Sequence, residues 1–251
     1  MKNERNLAIT VIFSVIGMVI YIVFLFYLFF ALPSSGIVAY AIPTESVNKL
    51  TVVDGGTVNP SLPVDPQKPL DPPETITPEV PVNPGTGGSL SIDYISPMNF
   101  GNHPIPKGDI QYISDKFDYT NNVTNAKQTY FNMIQVTDVR GTGSGWSLTL
   151  KQNGQFKTST NTILQNAQLQ LTMSKKRAQL KIGYPINAQV INPNGTETQI
   201  MGASSGLGIG ITQLHFLAKL EIPQSTMKLS DEYKTTFTWS LKDVPSDLPV
   251  N

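Results

Sequence analysis

Alternation of apolar and polar residues dominates the chain from Ser89 onward, and it restricts this part to β-structure. Side chains two positions apart lie on the same face of a strand, so the alternation predicts strands with one buried face. No stripe at helical spacing competes with it. The faces predicted in this way are Leu90, Ile92 and Tyr94; Leu169, Leu171 and Met173; and Leu214, Phe216, Ala218, Leu220 and Ile222.

Short alternating runs separated by Gly, Asn and Pro turns continue through residues 89–251. This spacing predicts an all-β domain, built as an antiparallel sandwich or a barrel-like fold. The chain has 0 cysteines, so no disulfide stabilises such a domain. Its stability must therefore come from a core that buries enough apolar surface unaided.

The first 41 residues have the features of an export signal. Lys2 and Arg5 precede an uncharged run from Leu7 to Leu32, and the small-x-small sequence AYA ends at Ala41. These features predict a cleaved signal peptide over 1–41. The uncharged run is 26 residues long, which also suits an uncleaved signal anchor that spans the membrane. Either alternative places the residues after Ala41 outside the cell.

Prolines recur at every third position from Pro60 to Pro72 and again from Pro78 to Pro84. Polyproline II has three residues per turn, so residues 42–88 are predicted to form a Pro-rich extended linker, with GTGG at 85–88 as a flexible joint. A PxxP ligand for a partner module is the functional alternative.

Both tryptophans of the chain occur in the tripeptide Trp-Ser-Leu. Trp146 shares its alternating face with Leu148 and Leu150, and Trp239 shares its face with Phe237 and Leu241. Large apolar faces in a small sheet protein normally form its core, so both tryptophans are predicted to be structural. The alternative is an exposed platform on which a ligand stacks.

The two tryptophan stretches resemble the signature motifs of the WxL domain of Gram-positive cell-surface proteins. The resemblance covers residues 89–251 and extends to LSIDYISPMNFG at 90–101 and GLGIGIT at 206–212. Phe237 departs from the pattern, which has an aliphatic residue there. The matching residues are Asp138, Arg140, Gly141, Gly145, Trp146 and Leu148 in the first motif, and Tyr233, Thr238, Trp239, Leu241 and Pro245 in the second.

This resemblance implies a secreted, extracellular protein that is held on the cell wall without a covalent bond. It implies that the domain binds peptidoglycan or an associated wall polymer. The alternative implied by the family is a structural subunit that docks on a membrane-anchored WxL-interacting protein and does not itself bind the wall. In both cases contact with a membrane is limited to the amino-terminal segment, if that segment is uncleaved.

Two charged groups are candidate contacts. The basic residues of MSKKRAQLKIGY, at 173–184, suit anionic wall polymers, although a solvated turn between two strands is the simpler explanation. Asp138 and Arg140 are predicted to pair beside the glycine-rich turn before Trp146, with capture of a ligand carboxylate as the alternative. The basic candidates are Lys175, Lys176, Arg177 and Lys181.

The sequence offers no pattern for catalysis or for a cofactor. GLGIGI at 206–211 lacks the Lys-Ser/Thr of a phosphate loop, and no serine lies in a nucleophile elbow. The histidines, His103 and His215, are far apart in a chain without cysteine, so no metal site is predicted. Residues 89–251 contain 14 Lys and Arg against 11 acidic residues, too small an excess to indicate nucleic acid. We therefore expect a non-enzymatic protein.

Overall fold

The computed structural model describes residues 61–68, 72–80, 85–174, 182–185 and 187–250, which all lie within one compact unit, Thr51–Asn251. Their regular structure consists of β-strands, and every pairing between these strands is antiparallel. The strands are β1 (Ile76–Pro78), β2 (Leu90–Ile95), β3 (Ile110–Ile113), β4 (Phe117–Asn121), β5 (Lys127–Tyr130), β6 (Asn132–Asp138), β7 (Trp146–Gln152), β8 (Gln168–Ser174), β9 (Gln189–Ile191), β10 (Thr198–Ala203), β11 (Gly210–Ile222) and β12 (Phe237–Lys242).

Two sheets form a sandwich around the main core. The large sheet has the strand order β2-β6-β11-β8-β9, with β3 alongside the end of β11, and the small sheet has the order β10-β7-β12. The predicted all-β antiparallel class is confirmed as sandwich-like, and the described residues form no closed barrel. Core side chains between the sheets include Ile134, Val136, Trp146, Leu148, Leu150, Leu171, Leu214 and Phe216.

The alternating runs fill this core as predicted, except that Tyr94 in β2 and Leu220 and Ile222 at the end of β11 lie in other clusters. Leu169, Leu171 and Met173 all face the core between the two sheets. In β2, Ile92 faces the same core but Tyr94 packs on the opposite side of the sheet. The register with β6 shifts between these two residues, and a bulge of this kind reverses the direction of the side chains that follow it. The predicted shared face of Leu90, Ile92 and Tyr94 is therefore wrong for Tyr94.

A third sheet, of order β1-β4-β5, covers part of the other face of the large sheet. Strand β6 is consequently buried along its whole length, because both of its faces are covered. Ile134 and Val136 face the main core, and Met133 lies on the opposite side of the sheet. The second core on this side consists of Ile76, Tyr94, Phe117, Tyr119 and Met133.

Residues 61–68 and 72–80, here called the strap, dock on the same face of the large sheet. The side chain of Gln135 accepts a hydrogen bond from the amide of Val64 at 2.9 Å and donates to the carbonyl of Leu62 at 3.2 Å. Gln213 donates to the carbonyl of Val64 at 2.8 Å. Val64 and Ile76 are both buried. Side chains of the sheet thus satisfy the backbone of the strap.

The strap falls within residues 42–88, which were predicted to form an extended linker. For its described residues that expectation does not hold, because β1 pairs with β4 and the carboxylate of Asp65 is buried. Apolar residues between the prolines provide the surface that docks. The remaining part of 42–88 lies outside the described residues, as do residues 1–41. Within the described ranges, no helix is long and apolar enough to cross a membrane.

We expect the substitution Gln135→Leu to detach the strap. It removes the hydrogen bonds to Val64 and Leu62, together with those to Asp93 and from Gln213, at a cost of about 2 kcal/mol or more in the free energy of unfolding. Limited proteolysis should then cleave between residues 61 and 80 faster than in the unaltered chain. The matched control is Gln170→Leu, which replaces a glutamine on β8 whose side chain donates a hydrogen bond to Glu221 at 3.4 Å. Equal cleavage in the two variants would contradict this role of Gln135.

Candidate functional site

Trp146 begins β7 and is fully buried. Its indole Nε1–H donates to the carbonyl of Gly208 at 3.1 Å, so the buried polar edge of the ring has a partner. Gly208 has a φ of +72°, and a Cβ atom built on it would lie 2.8 Å from Trp146 Nε1. The glycine-rich stretch 206–211 therefore approaches the ring at a position where only glycine fits.

Trp239 has a different environment from Trp146. It lies on β12, the edge strand of the small sheet, opposite Leu150. The ring packs against the main core but stays half-buried, as do Phe237 and Leu241 on the same face. An edge strand has a neighbour on one side only, which leaves part of each of these side chains in contact with solvent. Leu148, the partner of Leu241 on β7, is fully buried.

Arg140 connects the two motif regions. Its Nε and Nη2 groups donate to the two carboxylate oxygens of Asp138 at 2.9 and 2.7 Å, and Nη2 also donates to the carbonyl of Gly145 at 2.8 Å. Nη1 pairs with Asp243, which directly follows β12. Asp138 is buried, and the Arg140 side chain is 10% exposed. The edge of the guanidinium that suits a carboxylate is occupied by Asp138, so this pair holds the turn before Trp146.

Asp243 is stabilised in its charged form by the same network. Arg140 and then the Ser144 hydroxyl, which donates at 2.9 Å, lower the pKa of this exposed carboxyl. Because the pKa of Asp243 is lower in the folded state than in the unfolded state, its carboxylate contributes to the stability of the fold at neutral pH. This contribution is lost as the pH falls through that lowered pKa.

The other motif residues shape turns and loop contacts. Gly141 has a φ of +72° in the turn after β6, and Gly145 has a φ of +78° with its Cα facing the carbonyl of Ala203. Thr238 of β12 donates a hydrogen bond to the side chain of Asn153, which follows β7, at 3.0 Å. Pro245 precedes Ser246, whose amide bonds the carbonyl of Ala203 at 3.0 Å. Of the residues that match the second motif, Tyr233 lines a cavity.

That cavity is an open groove of about 830 Å³ beside the start of β12, here called the aromatic groove. Its size falls within the range of about 300–1,000 Å³ that is common for ligand sites. Its floor is buried and apolar, and its walls carry half-buried or exposed rings. The floor consists of Phe156, Leu164, Leu220 and Ile222, and the rings are those of Phe100, His103, Tyr112, Tyr233 and Phe237.

Two of these rings form a flat stack at the rim. The rings of His103 and Tyr112 have centroids 4.0 Å apart and planes 13° from parallel. His103 is exposed, and its Nε2–H donates to the carbonyl of Phe100 at 2.5 Å, which holds the ring in place. Tyr233 accepts a hydrogen bond from the amide of Leu229 at 2.7 Å. These hydrogen bonds fix the positions of the His103 and Tyr233 rings.

Both lysines of the groove lining are engaged by neighbouring groups. Lys228 Nζ donates to the carbonyls of Pro223 and Thr226, both at 2.8 Å, and to that of Gln224 at 3.2 Å. Lys234 forms an exposed ion pair with Glu232 at 2.8 Å. Exposed amides and hydroxyls complete the rim at Asn99, Asn102, Ser230 and Thr236.

The sequence patterns did not identify the aromatic groove. Its rings come from an irregular loop at 97–106, from β3, from the loop before β12 and from the first residue of β12, and no single alternation unites them. The clustering of Phe100, His103 and Pro104 in that loop was the available signal. The basic candidates Lys175, Lys176, Arg177 and Lys181 lie outside the described residues. Among the described residues, no group of three or more His, Cys, Asp or Glu is placed to hold a metal ion.

Comparison with known proteins gives one match. The model of the WxL domain, described as a surface cell wall-binding domain, matches residues 41–245. This span includes the strap, both tryptophan motifs and the aromatic groove. No curated protein and no solved structure matches the chain.

Proposed function

Because the chain belongs to the WxL family of surface cell wall-binding domains, we propose that it attaches non-covalently to the bacterial wall by binding peptidoglycan. The protein would be exported by residues 1–41 and would act outside a Gram-positive cell. Its role would be attachment and not catalysis, since the family is one of binding domains.

The observation that carries this proposal is the match of the wall-binding family over 41–245. The geometry supports one location for the contact. Trp146 is fully buried and Arg140 is engaged by Asp138, so neither is presented to a polymer. The aromatic groove, by contrast, is open and contains Tyr233 from the second motif. We therefore assign the wall contact to the groove.

Co-sedimentation with protein-free walls tests the proposal. The chain would be expressed with its own leader in a Gram-positive host, recovered, and mixed with purified walls before and after removal of teichoic acid. We expect saturable binding that survives this removal. Binding that disappears with teichoic acid, by a protein that is still folded, would show that peptidoglycan is not the ligand.

A salt series in the same assay tests the basic candidates. Screening weakens contacts between exposed charges, so binding through Lys175, Lys176, Arg177 and Lys181 would fall steeply with ionic strength. Binding through the neutral groove would change little. Replacement of the four residues by glutamine should then leave wall binding within about twofold of the unaltered chain, and a larger loss would assign part of the contact to them.

Docking on a partner protein is the second candidate, and the outer edge of β12 favours it. The amide of Asn153 donates to the carbonyl of Thr236 at 3.0 Å. Since hydrogen-bonded pairs alternate along an antiparallel ladder, the backbone groups of Phe237, Trp239 and Leu241 point away from β7. In the described part of the chain no strand pairs with this edge. Such an edge accepts a strand from another protein. Wall binding that requires an added surface protein would favour this candidate.

A further inference from the structure

The aromatic groove combines rings with uncharged polar groups. The half-buried rings of Phe100, Tyr112, Tyr233 and Phe237 surround its apolar floor. Amides and hydroxyls stand at the rim. Saccharides present a similar combination, since one face of a pyranose ring is lined with C–H groups and its edges carry hydroxyl and acetamido groups. Aromatic faces bind the C–H side while rim groups hydrogen-bond the edges.

The charge of the groove favours one component of the wall over the others as a ligand. Its lining has two lysines and two acidic residues, a sum of zero. Lys228 is occupied by three carbonyls, and Lys234 is paired with Glu232. Teichoic acid is a polyanion, and stem peptides carry free carboxylates and amines. The charged groups of either polymer would lose hydrating water on entering the groove, and neither lysine of the lining is free to form an ion pair with them. The backbone of the glycan strand is neutral where its lactyl groups are joined to peptides.

We propose that the aromatic groove binds the neutral N-acetylhexosamine backbone of the glycan strand, and not the stem peptide. This inference rests on the proposed function, because it names the part of peptidoglycan that the same site takes. Tyr112 and His103 supply a stacking platform at the rim, with ring centroids 4.0 Å apart. The groove is open to solvent, and His103 and Ile105 in its lining are exposed, which suits a long polymer better than an enclosed cavity would.

Competition against wall binding tests this inference. The competitors are chitohexaose, a neutral oligomer of β-linked N-acetylglucosamine, and the free stem pentapeptide. We expect chitohexaose to displace the full chain from walls and the pentapeptide to have no effect. Displacement by the pentapeptide alone, or by neither competitor, overturns the inference while the wall binding itself still supports the proposed function. Absence of wall binding would contradict both the proposed function and this inference.

Single substitutions assign the site. His103→Ala and Tyr112→Ala should each weaken chitohexaose binding about fivefold, measured by calorimetry, because each removes one stacked ring. Tyr130→Ala is the matched control, a half-buried tyrosine that packs on the second core and does not line the groove. His103→Phe should keep most of the affinity, since it preserves a flat ring.

Circular dichroism and the unfolding midpoint separate lost recognition from lost folding. His103 is exposed, so the His103→Ala variant should unfold at the same midpoint as the unaltered chain. Loss of chitohexaose binding in that folded variant supports the inference. Equal affinities of His103→Ala, Tyr112→Ala and Tyr130→Ala would place the sugar elsewhere and overturn it.

Discussion

Trp146→Ala is expected to remove most of the stability of the domain. The substitution empties a fully buried site in the main core and leaves the carbonyl of Gly208 without its indole partner. Deletion of a buried tryptophan side chain costs about 3–5 kcal/mol. Domains of this size are stable by about 5–15 kcal/mol, so the loss is a large share of the total. Urea unfolding followed by far-ultraviolet circular dichroism measures it, and the fluorescence of Trp239 provides a second probe.

Trp239→Ala is the matched comparison, because it removes the same side chain from the edge strand. The ring of Trp239 is half-buried, so its deletion should cost clearly less than that of Trp146. Trp146→Phe should recover part of the loss by filling the cavity while still lacking the N–H donor. A Trp146→Ala variant that unfolds cooperatively near the midpoint of the unaltered chain would contradict the structural role of this tryptophan.

Arg140→Met is expected to cost about 3–5 kcal/mol, although the replacement is apolar and similar in length. It leaves the buried carboxylate of Asp138 without its bidentate partner and releases the carbonyl of Gly145 and the side chain of Asp243. An uncompensated buried charge is the largest part of this cost. Urea unfolding at neutral pH gives the change in the free energy of unfolding.

The double variant Arg140→Met with Asp138→Asn tests the cause, since a neutral amide relieves the buried charge and should recover part of the stability. Lys219→Met is the matched control. Its ion pair with Glu221, at 2.7 Å, is more exposed, with side-chain exposures of 29% and 28%. Such pairs contribute about 0–1 kcal/mol. A loss in Arg140→Met no larger than that in Lys219→Met would show that Arg140 does not stabilise the turn.

The strands and the main core were predictable because alternation reports a single buried face. Leu169, Leu171 and Met173 needed only the spacing of two, as did Trp146 and Leu148. The alternation gave a wrong prediction for Tyr94 in β2, because a bulge after Ile92 moves this residue to the other side of the sheet. A bulge is set by its pairing with β6, which is more than 40 residues away in the sequence.

The strap and the aromatic groove were not predictable for a related reason. Proline spacing in residues 60–84 predicts polyproline II regardless of whether a surface covers it. The docking partners of the strap, Gln135 and Gln213, are polar residues in strands, where a pattern of apolar residues does not find them. The groove depends on loops from three separate regions. Tyr233 was identified as a motif residue, but its position on a cavity wall required the fold.

The strap can dock only after the strands on which it docks, β6 and β11, have been synthesised. The hydrogen bond from Gln213 to Val64 joins residues 149 positions apart, and Gln135 meets Val64 across 71 positions. A chain synthesised from its amino end exposes the strap before either docking strand exists. Loops of this length close slowly, and folding rates fall as contacts become more distant in the sequence. The strap is therefore the first described segment to emerge and among the last to find its place.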